Sequence, residues 1–350
     1  MKSNYDALGN YIRLVDTRNT DLVTEQVLGI NIDKYFMPSV ANVIGTDLSK
    51  YKLITKDKFA CNPMHVGRDE RLPIALYTED EPAIVSPAYF MFEIIDNSIL
   101  NEDYLMMWFR RPEFDRLCWL RTDGSVRGGI TWDDICRMKV PVPPLDEQIE
   151  IVQSYQAITD RIALKKQIND NLEATLTAVF TEIFSAAEAT EQTKLSELMT
   201  FGNGKSRPKT DGTIPVYGGN GVLSYTDQYN IENAILIGRV GAYCGSVYLE
   251  QGICWVSDNA IFAKSKVSID EFFDYFLLKR LNLFNHHVGT GQQLLTQEIL
   301  NNIEVAKPNI EQIEIFNTKA KAVFQSISAN RDEIIRLQEL SDLLLSRLAG

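Results

Sequence analysis

The residues with the best chances of doing chemistry in this 350-residue chain lie in glycine-rich stretches, and none of them completes a catalytic pattern. Phe201-Gly-Asn-Gly-Lys-Ser-Arg-Pro208 has the composition of a phosphate loop. It lacks the G-x-x-x-x-G-K-[ST] spacing that aims backbone amides at a phosphate, and it precedes no clear helix. Gly238-Arg-Val-Gly241 fails the G-x-G-x-x-G dinucleotide pattern. Asn62-Pro63-Met64-His65 is a partial echo of the Asn/Asp-Pro-Pro-aromatic motif of base methyltransferases, without the second proline or the aromatic. His65, His286 and His287 offer no spaced metal set, and no local group of Asp and Glu supports a nuclease centre. Cys61, Cys118, Cys136, Cys244 and Cys254 never form C-x-x-C and read as reduced, mostly buried thiols. The chain reads as non-catalytic.

The elements around these stretches are organised by a duplication. Val140-Pro-Val-Pro-Pro-Leu-Asp-Glu-Gln-Ile149 returns as Val305-Ala-Lys-Pro-Asn-Ile-Glu-Gln-Ile313. Val140 answers Val305 and Pro143 answers Pro308 at an offset of 165; Gln148 answers Gln312 at 164. A repeat of half the chain means a tandem copy of one large unit and not a solenoid. Behind each start runs a long helical pattern. Leu145, Ile149, Ile162 and Leu172 mark the apolar stripe of the first, and Ile313, Ile327 and Leu337 that of the second, whose spacing is close to heptad. Some 40 residues make a rod of roughly 60 Å. A single stripe on so long a helix needs a partner, and antiparallel packing of the two is the simplest closure, with a domain at each end.

The expected divisions are a domain at 1–143, a helix at 144–189, a second domain at 190–308 and a second helix at 309–350. Both domains read as mixed and β-rich, which makes the class α+β. In the first, Ile84 to Ile94 is the strongest strand run, Asn101 to Phe114 reads as one helix, and Thr131 is a candidate N-cap for a helix to Arg137. In the second, Asn233 to Ile237 and Trp255 to Phe262 read as strands and Ile269 to Leu281 as a helix, and Thr296 matches Thr131.

Bulk composition narrows the class. Hydrophobic residues at 45% and charged residues at 23% are those of a soluble globular protein. No apolar run reaches membrane-spanning length, and the start lacks the core of a signal peptide, so a cytoplasmic protein is expected. Half of the net charge of -12 lies on the two helical segments. This weighs against an independent, non-specific nucleic-acid binder, which needs excess Lys and Arg against phosphates.

At the paired P-P-L-D-E-Q and P-N-I-E-Q helix starts, each preceded by a domain of unlike sequence, the chain resembles the specificity subunit of Type I restriction-modification systems. The resemblance covers essentially the whole chain. Ile214-Pro-Val-Tyr-Gly-Gly-Asn-Gly221 with Ile235-Leu-Ile-Gly-Arg-Val-Gly241 looks like one common version of that family's target-recognition domain, and Val85-Ser-Pro-Ala-Tyr89 like the central strand of another. The resemblance implies that each domain reads one half of a bipartite site in double-stranded DNA. The helices would set the gap and dock two methyltransferase subunits, which carry S-adenosylmethionine. Restriction subunits using ATP and Mg would join the full complex, and this chain would hold no cofactor. The rival from another class is a two-module protein-protein adaptor on a coiled coil; the Arg, Asn and Gln of the glycine-rich loops weigh against it.

Base reading needs paired donors and acceptors, Arg on guanine and Asn or Gln on adenine, while Lys, Ser and backbone amides hold phosphates. Under the resemblance the DNA-binding candidates in the first domain are Arg18, Asn62, His65, Arg68, Arg121, Ser125 and Arg127. Those in the second are Lys205, Arg207, Tyr217, Asn220, Arg239, His286, Gln292 and Gln293. Arg239 is the sharpest of these; its plainer reading is a structural arginine paired with an acid such as Asp258. Tyr217 and Trp255 read first as core residues and second as platforms for a base.

Overall fold

A computed structural model describes residues 5–41, 43–122, 128–186, 191–289 and 293–348. The duplication is visible in strand pairing. Tyr5–Ala7 lies antiparallel to Lys139–Pro141 with Tyr5 opposite Pro141, and Gln192–Lys194 lies antiparallel to Glu304–Ala306 with Gln192 opposite Ala306. Each domain is therefore closed by a ribbon joining its first strand to the strand that feeds a long helix. Proline then keeps the preceding residue extended, and the helices run over Leu145–Ala186 and Ile310–Arg347.

Contacts group the chain into two compact units, Met1–Leu164 with Ile334–Gly350, and Lys165–Glu333. In the first unit an antiparallel sheet has the order Ile12–Leu14, Phe90–Ile94, Lys58–Cys61, Ile74–Tyr77. Side chains alternate across it: Phe59, Cys61 and Phe92 enter the main core while Ala60 and Met91 enter a smaller one. Phe59 stacks on Phe92 at 5.0 Å, and Phe109 meets Phe59 edge-on at 5.8 Å. The smaller core lies under a second sheet ordered Phe36–Pro38, Val27–Ile30, Ala83–Val85, Lys52–Ile54, whose central pair is parallel.

The second unit has the same plan in one sheet of six strands, ordered Met199–Asn203, Ala260–Ser265, Ile231–Gly238, Val247–Val256, Ile214–Gly218, Gly221–Thr226. Here Val247–Val256 does in one strand what Ile74–Tyr77 and Ala83–Val85 do in two. Its first part pairs antiparallel with Ile231–Gly238, and Trp255 and Val256 pair parallel with Val216 and Tyr217. Ile235 and Ile237 face the main core, and Ala234 and Leu236 the smaller one.

Three expected elements are divided differently. The run Ile84 to Ile94 is two strands in different sheets, separated by a turn at Ser86–Tyr89 in which Ala88 N donates to Ser86 Oγ at 3.2 Å. Pro87 cannot donate to a ladder, and because both strands are buried on both faces no polar alternation betrays the break. Val85 to Tyr89 is accordingly not one central strand. Asn101 to Phe114 spans two helices, Glu102–Arg110 and Pro112–Leu120, because Pro112 holds Arg111 in an extended conformation. Trp255 to Phe262 is the end of one strand and the start of another, which flank Ile231–Gly238 and do not pair with each other; they are joined by a turn in which Ala260 N donates to Ser257 O at 3.0 Å. The Thr131 cap is present and holds Asp134 N, and Thr296 holds Ile299 N in the same way.

Within each unit the long helices run antiparallel. Val152 and Tyr155 share the first core with Leu345 and Leu348; Leu176 and Phe180 share the second with Phe316, Ala320 and Phe324. Ile313 and Ile327 are buried, Leu145, Ile162, Leu172, Gln312 and Leu337 are half-buried, and Ile149 is exposed. Gln148 is fully buried and serves its own unit: its Oε1 accepts from Asn101 N at 2.9 Å, and its Nε2 donates to Ile99 O and Pro143 O at 2.8 Å. The matching task in the second unit falls to Asn317, not to Gln312. Asn317 Oδ1 accepts from Phe273 N at 2.7 Å, at the start of helix Phe272–Arg280.

Candidate nucleic-acid interface

One end of the main sheet is built alike in both units. Cys61 is opposite Phe90 and Gly238 is opposite Ala260, so Asn62 and Arg239 are the first residues beyond equivalent central strands. Over them folds the glycine-rich segment that precedes the capped helix. In the first unit Gly67 N donates to Gly128 O at 3.0 Å and Ile130 N to Pro63 O at 3.2 Å. In the second, Gly241 N donates to Gln293 O at 3.0 Å and Leu295 N to Arg239 O at 2.9 Å. The turns at 86–89 and 257–259 complete each cluster.

Arg239 is held by its backbone. Its N donates to Asn259 O at 3.0 Å, and the chain beside it turns so tightly that a Cβ on Gly238 would lie 2.1 Å from Tyr243 O. Its Nη1 reaches the Asp258 backbone carbonyl at 3.3 Å rather than the Asp258 carboxylate, and its buried Nε has no partner. The half-exposed part of the guanidinium, on a fixed backbone, is suited to the edge of a base or to a phosphate. Gln293 lies beside it through the Gly241 contact. Lys205 flanks the same 257–259 turn, bridged to Ser257, and its carbonyl accepts from Trp255 Nε1 at 3.3 Å. Arg207 and His286 are exposed on neighbouring loops. Gln292 lies outside the described residues.

Tyr217 and Asn220 face elsewhere. They line a cavity of about 660 Å³ with Tyr248, Glu250 and Tyr275, and Tyr217 Oη donates to Glu250 Oε2 at 2.9 Å. Burial pushes the Tyr217 hydroxyl well above its ordinary pKa, and the Glu250 carboxylate adds to the rise. The phenol is thus committed within the fold.

Among the described residues of the first unit, the candidate cations Arg18, Arg68 and Arg121 are paired. Arg68 forks onto Asp69 at 2.7 and 2.9 Å, and Arg121 lies 3.7 Å from Asp134. Arg18 donates to Asp16 Oδ2 at 2.9 Å; Asp16 also meets Lys52, whose Nζ donates to Tyr89 O at 2.8 Å, so Arg18 joins the cluster indirectly. The Arg18 hydrogen bond holds the Asp16 carboxyl below the usual range. Asn62 caps the turn Pro63–His65 by accepting from Met64 N at 3.1 Å, and its side chain also donates toward the Tyr89 hydroxyl. The His65 side chain, Ser125 and Arg127 lie outside the described residues. Half-exposed Tyr243, within the turn Gly241–Tyr243 of the second cluster, went unrecognised in the sequence, as did exposed Lys209 on the loop that starts beside it. The run Lys205-Ser-Arg-Pro-Lys209 was the available signal for the latter.

Among the described residues no group of His, Cys, Asp and Glu could hold a metal, and no helix is long and apolar enough to cross a membrane. The five cysteines are free, and burial pushes the Cys61 and Cys254 thiols up to about 12.

The sequence model of the Type I restriction modification DNA specificity domain matches residues 74–174 and 188–335. The chain belongs to this family. Both matches of this specificity protein run from a recognition domain into a long helix, which is where the duplication places its two copies. A Methanocaldococcus jannaschii chain, provisionally named the type I restriction enzyme MjaX specificity subunit, is 20% identical over 99% of this chain and 88% of its own length. The EcoprrI specificity subunit of Escherichia coli is 25% identical over 35% of this chain and 31% of its own. Among solved structures, the Type I S subunit from M. genitalium superposes with a TM-score of 0.62 at 15% identity, covering 99% of this chain and 95% of that one. A chain from a study of complex assembly and conformational transition of the type I R-M system gives 0.51 at 17% identity, with 99% and 97% covered. The shared fold is the α+β arrangement of two β-rich recognition domains and two long antiparallel helices with an internal repeat.

Proposed function

We propose that this chain is the DNA-reading subunit of a Type I restriction-modification complex, in which each recognition domain contacts one half of a bipartite site. The observation that carries the reading is the recurrence, in both units, of one loop cluster at the same end of the same sheet, with Asn62 and Arg239 at equivalent positions. An amide suits adenine and a guanidinium suits guanine, so equivalent scaffolds with different side chains would read different half-sites. The long helices set the gap and dock two methyltransferase subunits that carry S-adenosylmethionine; restriction subunits with ATP and Mg complete the assembly. This chain holds none of those cofactors and works in the cytoplasm.

Comparing the methylated motifs of cells with and without this gene tests the reading. Loss of one bipartite adenine-methylated motif is expected. An unchanged methylome in cells that express the methyltransferase subunits would sink it and favour the adaptor.

A further inference from the structure

Among the described residues, the candidate DNA-binding cations of the two recognition units are used differently. In the first, Arg18, Arg68 and Arg121 each have a carboxylate partner, Asp16 at 2.8 Å, Asp69 at 2.7 Å and Asp134 at 3.7 Å. In the second, Lys205, Arg207 and Lys209 are exposed, and their side chains make no hydrogen bond or ion pair among the described residues. Asp211, Asp227 and Asp258, the nearest acids in the chain or across the turn, pair with none of the three; Asp227 instead accepts from Thr210 Oγ1 at 2.6 Å.

The loop carrying these cations is strapped down at both ends. Gly204 N donates to Ala260 O at 3.1 Å and Lys205 N to Val256 O at 2.9 Å, and a Cβ on Gly204 would lie 1.9 Å from Ser257 O. At the far end Thr210 Oγ1 lies 2.8 Å from Thr226 Oγ1. Pro208 stiffens the middle. Three uncompensated cations thus sit on a loop whose start is fixed beside the 257–259 turn that also holds Arg239 and whose end is fixed at Thr226. A free cation releases counterions when it meets a phosphate, whereas one already neutralised by an acid must first give up its partner.

We propose that loop 204–212 is a phosphate clamp, and that the second recognition unit supplies most of the sequence-independent attraction of this chain to duplex DNA. The described candidate cations of the first unit, already paired, add little phosphate anchoring. The inference rests on the DNA-recognition reading and adds a division of labour to it.

The test uses the full chain assembled with its methyltransferase subunits, binding a labelled duplex of arbitrary sequence across a salt series. Each phosphate contact contributes about 0.9 to the slope of log affinity against log salt, so K205A/R207A/K209A lowers the slope by about 2 to 3, with at least a ~10-fold loss of affinity on every duplex. The charge-preserving set K205R/R207K/K209R retains the parental slope, because a phosphate takes either cation. Replacing both members of the Arg68–Asp69 pair, as R68Q/D69N, leaves the slope unchanged. A parental slope in the alanine variant, or a drop in R68Q/D69N as large as in that variant, overturns the inference while leaving DNA recognition intact. Failure of the parent complex to bind any duplex would remove the recognition reading and this inference together.

Discussion

Arg239 enters its site with its backbone fixed on both sides, by Asn259 and by Leu295, so little ordering remains to be done when its side chain meets a partner. Its unused Nε gives the residue a donor that the folded chain does not satisfy. Arg239→Ala should therefore leave folding nearly unchanged and relax selectivity at one base pair by about 1–3 kcal/mol, and Arg239→Lys should fail to restore it because an ammonium has no fork. Competition between duplexes differing at single positions would show this; an unaltered preference would return Arg239 to a structural role. Asp274 carries a different prediction. It is 2% exposed, and the Ser265 hydroxyl lies beside its carboxyl. Burial pushes its pKa up to about 7; the neighbouring Glu271, itself 3.1 Å from Lys264, adds to the rise, and the Ser265 hydroxyl opposes it. The folded pKa lies above the unfolded one, so the protonated form favours folding. Its contribution is fully present below about pH 4 and is lost as pH rises toward 7. Asp274→Asn is expected to stabilise the protein by up to about 4 kcal/mol at pH 8 and by almost nothing near pH 4. Urea unfolding at the two pH values decides it, and equal gains at both would exclude the titration as the cause.

At the scale of elements, the long helices are tied to their domains by buried amides as well as by apolar packing. Gln148 and Asn317 each hold a backbone N–H at or beside the start of a domain helix, and each donates to backbone or hydroxyl oxygens nearby. Gln148→Ala and Asn317→Ala should each cost about 1–3 kcal/mol, since buried backbone groups are left without partners. Denaturant unfolding of the single variants measures it, and losses below about 0.5 kcal/mol would mean that water replaces the amide. Gln148 was visible in the repeated helix start, but its burial was not. Asn317 was hidden because the repeat points to Gln312, and only the packing of helix Phe272–Arg280 against the long helix brings Asn317 into reach. The helix starts and the Thr131 and Thr296 caps were legible, because proline and short hydroxyl side chains act on their own local backbone. The breaks at Ser86–Tyr89 and Arg111 were missed although a proline lies in the first and directly after the second, since apolar residues continue through both. The geometry of the two candidate loop clusters was half legible. Glycine-rich loops with Arg, Asn and Gln marked the place, but commitments such as Tyr217 to Glu250 or Arg68 to Asp69 depend on where other strands and turns arrive.

For the whole molecule, the proposed role of the helices as a ruler makes their length a functional quantity, and the packing shows where it can be altered. Residues just after Gln148 are a poor place, because Val152 and Tyr155 already belong to the first core with Leu345 and Leu348. A polar layer offers a better reference. Lys165 Nζ lies 2.8 Å from Asn330 Oδ1 and 2.6 Å from Glu333 Oε2, and Asn330 Nδ2 donates to Asn169 Oδ1 at 2.8 Å. Such half-buried polar contacts fix register, because a slipped pairing leaves them unsatisfied. One heptad added to each helix on the 1–164 side of this layer, after Leu164 and after Ile334, preserves the apolar stripe and lengthens the pair by roughly 10 Å. At ~3.4 Å per base pair the methylated motif should gain about three base pairs in its gap while both half-sites stay the same. A heptad in one helix alone shifts every downstream contact out of register and should abolish methylation. Motif mapping in cells carrying the variants distinguishes the outcomes: a lengthened gap supports the ruler, whereas altered half-sites with the original gap would place the measurement of distance in the partner subunits.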